Sequence, residues 1–213
     1  MSSENGTVGQ SDNRTSCKPA AAGKGAEAQM PVRVVLSRAK GWRMPANTVK
    51  VDRTTKWVNP FSVQYRREAM GMSLERAHES AVFYFRSCAS TSDEPNDPDS
   101  ADRMEFIKRN LRKLRGVNLA CWCKPGLSCH ADVLLELANS PEINGCTMPL
   151  LKCRHCGTYP VCYTDGYGVD YFECPKHPEN YGESESVIED AAMSWNAAQV
   201  ELWKTKLPEV GNG

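Results

Sequence analysis

The chain has 213 residues, 26 Lys+Arg against 26 Asp+Glu, and ten cysteines. That length suits one medium domain and one small one, and no apolar run approaches the about 18 residues of a membrane span. The cysteines fall largely in C-x2-C-type clusters, and residues 1–29 lack the apolar stretch of a secretory signal. The expectation is therefore a reducing cytoplasm and metal binding, not a disulfide framework.

The zero net charge hides an asymmetry. Residues 30–139 carry eighteen Lys/Arg against twelve Asp/Glu, a surplus of six, and residues 140–213 carry five against eleven, a deficit of six. A basic segment attracts phosphate-bearing partners, although charged residues also serve simply as a solvated surface.

Residues 1–29 have too few large apolar side chains to pack and read as a disordered tail, with Cys17 incidental. Residues 32–36 read as a short buried strand and residues 48–51 as a weaker one. Ser73 is placed to cap a helix running to about residue 86, with Leu74, Ala77, Ala81, Val82 and Phe85 on its core face. Residues 91–102 hold two prolines and five acids and read as an exposed loop. A helix over 103–114 buries Phe106, Ile107, Leu111 and Leu114 and shows Lys108, Arg109, Arg112 and Lys113 on its other side. Residues 117–121 read as a strand and 129–138 as a helix. Strands alternating with helices predict an α/β domain over 30–139. A linker over 140–148 then leads to a small unit over 149–204, with a tail at 205–213.

The small unit carries the strongest motif. Cys153-Arg-His-Cys156 is followed, after seventeen residues, by Cys174-Pro-Lys-His177. Two β-type runs around a Gly-rich turn, 165–168, predict a hairpin that returns the second pair to the first. Cys153, Cys156, Cys174 and His177 are then a four-ligand set for one structural Zn2+, with no position left for water. Cys162 is the only serious substitute for His177, and His155 is expected to point outward. Residues 185–204 read as an amphipathic helix, with Trp195 and Trp203 able to pack on the hairpin.

A second constellation runs Cys121-Trp-Cys123-Lys-Pro-Gly-Leu-Ser-Cys129-His130, from a strand into a helix N-terminus capped by Ser128 or Cys129. Three readings stand. Cys129 and His130 form a phosphate-binding or catalytic site, since helix N-termini attract anions and favour thiolates. Alternatively Cys121, Cys123, Cys129 and His130 hold a second metal, or they are buried structural groups. Upstream, Lys56, Trp57 and Asn59 suit phosphate contact, base stacking and hydrogen bonding. The competing reading of Trp57 and Phe61 is a packing corner.

Two resemblances follow. Residues 32–139 resemble the phage and bacterial domain of unknown function 4326 family, through Val34-Val-Leu-Ser37, Thr55-Lys-Trp57, Asn59-Pro-Phe61, Asn118-Leu-Ala-Cys-Trp-Cys123 and Cys129-His-Ala-Asp-Val133. This implies a domain but no activity. Residues 149–196 resemble the Lar restriction-alleviation zinc ribbons, through Cys153, Cys156-Gly157, Tyr171-Phe-Glu-Cys174 and Ala191-Ala-Met-Ser-Trp195-Asn196, with His177 where that pattern commonly has cysteine. The combined expectation is a phage or prophage accessory protein in the host cytoplasm. It would bind nucleic acid or nucleotide through Lys56, Trp57, Arg109, Arg112 and the Cys129 helix terminus, and meet a host restriction–modification protein through its acidic ribbon. The alternatives are a nucleotide- or base-processing enzyme, with Cys129 as nucleophile or anion binder, His130 as acid–base group and Asn59 orienting substrate, and a non-catalytic interaction protein.

Overall fold

Leu119, Ala120 and Cys121 are small or branched apolar residues, all but removed from solvent. A strand buried on both faces in this way belongs at the centre of a parallel sheet. In the computed structural model, which describes residues 15–16, 30–143, 146, 148–165, 167–183, 185 and 188–204, that is its place. Numbering elements in chain order, strands are β1 (Thr15–Ser16), β2 (Arg33–Val35), β3 (Thr48–Lys50), β4 (Asn118–Cys121), β5 (Val161–Thr164), β6 (Asp170–Cys174) and β7 (His177–Tyr181). Helices are α1 (Val63–Glu68), α2 (Leu74–Ser90), α3 (Pro98–Asn110), which continues into a 3-10 turn over Leu111–Leu114, α4 (His130–Ala138) and α5 (Ile188–Lys204). β4 lies between β2 and β3 and is parallel to both. The ladder extends past the strand ends through Leu36 N–H to Cys121 O at 2.8 Å and Val51 N–H to Ala120 O at 2.9 Å.

Local chemistry sets the helix starts. Ser62 Oγ accepts from Tyr65 N–H, Ser73 Oγ from Arg76 N–H and Asp97 from Ser100 N–H. Pro98 opens α3, where its missing N–H costs nothing. The Asp-Pro pair expected to lie in a loop is thus the cap and first turn of a helix. Helix α1 and strand β7 were not expected at all. Helices α2, α3 and α4 bury Phe85, Met104, Ile107 and Leu134 in one core with Leu119 of β4.

The C-terminal unit is an antiparallel sheet of order β1-β5-β6-β7, with α5 against β6. Thr15 and Ser16 pair with Thr164 and Tyr163; the rest of the expected disordered tail, including Cys17, and the tail from 205 lie outside the described residues. Phe172 and Trp195 centre this second core. Gly182 permits the close approach of α5, because a Cβ there would lie 2.7 Å from Trp195 N. Among the described residues no helix is long and apolar enough to cross a membrane.

Candidate ligand cleft and metal-binding clusters

Each ligand pair of the C-terminal unit, Cys153 with Cys156 and Cys174 with His177, sits at a chain reversal. Gly157 takes φ +70°, a left-handed conformation that favours glycine. It donates its N–H to Cys153 O at 2.8 Å, while Cys153 N–H donates to Thr158 O at 2.8 Å. This turn carries Cys153 and Cys156. The β6–β7 turn pairs Cys174 directly with His177. The four ligand atoms lie within 4.8 Å of one another. Cys156 Sγ is 3.5 Å from Cys174 Sγ, and His177 Nδ1 is 3.6 Å from Cys174 Sγ and 3.8 Å from Cys153 Sγ. Metal–S and metal–N bonds of about 2.3 and 2.0 Å give tetrahedron edges of about 3.5–3.8 Å, so the donor set fits one ion.

A supporting layer lies behind these donors. Asn180 Nδ2 donates to Cys153 Sγ at 3.3 Å, and Asn180 and Gln199 of α5 exchange side-chain hydrogen bonds at 3.2 and 3.0 Å. Gln199 Oε1 also accepts from Arg154 N–H at 3.0 Å. Such outer contacts orient ligands. Neither residue was expected, and two amides far apart in sequence carry no local signal. Hydrogen bonds from Thr158 hold the Cys156 thiol down at about 6, and burial pushes Cys174 up to about 11. Cys162 is buried on β5, outside the four-atom group, and His155 is exposed.

The second constellation borders an open cleft of about 1160 Å³ at the carboxyl ends of β3 and β4 and the amino end of α4. This is where open parallel sheets bind ligands. Cys121, Cys123 and Cys129 converge on it, their sulfurs within 4.8 Å of one another. Cys129 is the N-cap of α4, its Sγ accepting from Ala131 N–H at 3.4 Å and lying 3.1 Å from Cys121 Sγ. Hydrogen bonds from Cys123 and Cys129 hold the Cys121 thiol down at about 2; the same contacts, with burial, push Cys123 up to about 11 and Cys129 well above the usual thiol range.

The geometry revises the roles expected of several residues. Cys129 is 1 % exposed, unlike an accessible nucleophile. His130 is 8 % exposed, and its Nε2 is 2.8 Å from Val51 O. A carbonyl only accepts, so Nε2 carries the proton, and burial lowers the ring's pKa. His130 is therefore a neutral strut between α4 and the end of β3, and it stands outside the three-sulfur group. Asn59 borders the cleft, but Nδ2 donates to Ala81 O at 3.0 Å and Oδ1 accepts from Phe61 N–H at 2.9 Å, so its amide secures the loop. Trp57 packs edge-on against Phe106 at 5.3 Å, the packing corner, and Lys56 lies over the same ring. Arg109 pairs with Glu105 at 2.5 Å and Arg112 donates to Ser140 O at 3.0 Å. None of these last four residues lines the cleft.

Other side chains do line it. Arg53, Arg67, Arg103 and Lys124 border the cleft without a hydrogen bond or ion pair to any described residue. On the same rim, Glu68 accepts from Gln64 at 3.0 Å and Asp99 lies in the first turn of α3. Trp122 is 45 % exposed and donates its Nε1–H to Asp52 Oδ2 at 2.9 Å. These positions are scattered over four segments, and only the fold gathers them.

A parallel α/β domain with a cationic, thiol-lined cleft is the class these observations define. The chain belongs to the family described as Domain of unknown function (DUF4326), whose model matches residues 34–140, half of its length. No curated protein and no solved structure matches it.

Proposed function

We propose that the α/β domain binds a nucleotide or a similar phosphate-bearing molecule in this cleft. The observation that carries the reading is the set of four unpartnered cations, Arg53, Arg67, Arg103 and Lys124, around the carboxyl ends of parallel strands. Phosphate recognition needs cations not already spent on carboxylates. The exposed indole of Trp122 offers a base a stacking surface at the same mouth. This reading keeps the expected ligand class but moves it from Arg109 and Arg112 to the cleft.

The C-terminal cluster is assigned to zinc, since three thiolates and one imidazole suit a closed tetrahedral structural site. The Lar-like strings around Cys153 and Trp195 extend the proposal to a phage or prophage accessory protein that modulates host restriction. Its acidic C-terminal unit suits a protein partner better than a DNA backbone.

Calorimetric titration with adenosine monophosphate, beside adenosine, tests the cleft at low salt. The monophosphate is expected to bind and the nucleoside to bind more weakly. An Arg67→Ala/Arg103→Ala variant should weaken binding about tenfold or more, on the scale of one or two charged hydrogen bonds. Arg109→Ala/Arg112→Ala should leave it unchanged. Equal binding of nucleotide and nucleoside, or loss with Arg109 and Arg112 only, contradicts the assignment.

A further inference from the structure

We infer that Cys121, Cys123 and Cys129 together bind one thiophilic divalent cation of the zinc class, with its fourth coordination position open to the cleft. The proposal deepens the reading of the cleft as a ligand site, and rests on that reading only for what fills the fourth position.

Three features of the chain converge on it. The three sulfurs lie within 4.8 Å of one another although they come from the end of β4, the following turn and the start of α4. The Cys121–Cys129 separation of 3.1 Å is well beyond the about 2.05 Å of a disulfide and would open by about 0.7 Å to reach the about 3.8 Å edge of a metal–thiolate tetrahedron. The N-cap of α4 is a cysteine, where Ser, Thr, Asp or Asn would cap better. Its sulfur nonetheless takes a hydrogen bond from Ala131 N–H at 3.4 Å, a contact that supports a thiolate ligand. A divalent ion with three thiolates carries a net charge of −1.

No fourth protein donor completes this cluster among the described residues. The imidazole of His130 has its Nδ1 3.9 Å from Cys129 Sγ, but it does not lie within 4.8 Å of all three sulfurs and so stands outside the group. Cys123, the half-buried member, is on the cleft side. Three protein ligands and one free position are the pattern of sites where an ion meets water or a substrate atom, in contrast to the closed four-ligand set around Cys153. Binding releases the thiol protons to solvent, and the free position takes water or a donor atom of the cleft's ligand.

The test is metal content of the reduced full-length protein by elemental analysis, with Cys129→Ser and Cys123→Ser beside it. Serine caps a helix, so Cys129→Ser keeps α4 started while removing a ligand, and Cys123→Ser alters a residue outside the cap. Two ions per chain in the wild type, and one in each variant, is the expected result. One ion per chain, retained by both variants, overturns the proposal, as does a Cys121–Cys129 disulfide found by mass spectrometry in protein isolated under reducing conditions. With cobalt(II) in place of the native ion, the wild-type minus Cys123→Ser difference spectrum should shift on adding imidazole. An unshifted spectrum overturns the open position. The adenosine monophosphate titration on the same samples separates the two readings: two ions with no nucleotide bound sinks the nucleotide assignment and leaves this one standing.

Discussion

Asp52 shows how much one side chain organises at the mouth of the cleft. Its Oδ1 accepts from Thr54 N–H at 3.0 Å and Thr54 Oγ1–H at 2.6 Å, and its Oδ2 from Trp122 Nε1–H at 2.9 Å, with Lys50 Nζ 3.1 Å away. Burial opposes its ionisation, but the hydrogen bonds from Thr54, Lys50 and Trp122 outweigh burial and hold the carboxyl at about 2. A depressed carboxyl pKa contributes stability that is fully present above the unfolded value, about 4, and is lost as pH falls through the folded one. Asp52→Asn turns an amide N–H toward two donors. It should destabilise the protein by about 1–3 kcal/mol in urea unfolding at pH 7. The gap from wild type should narrow as pH is lowered from about 4 toward 2, and the Trp122 contribution to fluorescence should shift to the red at neutral pH. A pH-independent gap would place the effect elsewhere than on this charge.

At the scale of elements, legibility followed the physics of each signal. The Cys/His cluster could be read because ligand chemistry demands cysteine and histidine at fixed spacing, and the β6–β7 turn delivers His177 opposite Cys174. Strand β7 could not. His-Pro-Glu-Asn-Tyr has no strand composition, and Pro178 is tolerated because β7 is the sheet's edge. Helix α1 has six residues, too few for periodicity to register. The start of α3 was hidden because Asp97 and Pro98 favour loops and helix starts alike. Within the cleft, the cysteines were legible as a group, but the side chains of Arg53, Arg67 and Arg103 meet only through the tertiary fold. The hairpin yields its own prediction. His177→Cys should keep a metal at the C-terminal cluster, because thiolate replaces imidazole in a tetrahedral site without loss of a ligand. His177→Ala should lower affinity by at least tenfold in a competitive chelator titration and loosen β7 in hydrogen exchange. Equal affinity for all three proteins would remove His177 from the ligand set.

At the scale of the molecule, the two cores are fastened together. Leu151 and Val200 come from the C-terminal part of the chain yet belong to the core of the α/β domain. Arg86 of α2 pairs with Glu136 of α4 at 2.8 Å and lies over Trp203 of α5, which Arg154 also covers at 4.1 Å. The tightest joint is Asn196 on α5, wholly buried. Its Oδ1 accepts from Leu151 N–H at 2.8 Å, while Nδ2 donates to Ser90 O at the end of α2 at 2.8 Å and to Pro149 O at 2.9 Å. Beside it, Trp195 Nε1–H donates to Leu151 O at 2.8 Å. The Trp195-Asn196 pair therefore clamps the sheet that carries the Cys153, Cys156, Cys174 and His177 cluster to the α/β domain. Truncating Asn196 to alanine strands two buried backbone groups, Leu151 N–H and Ser90 O, each costing about 1–3 kcal/mol, and the part-buried Pro149 O. Wild type should unfold in one transition, with tryptophan fluorescence and release of the C-terminal metal coinciding along a urea gradient. Asn196→Ala should lower the midpoint and split the two signals, the metal leaving first. Two separate transitions already in the wild type would show that these contacts do not couple the cores.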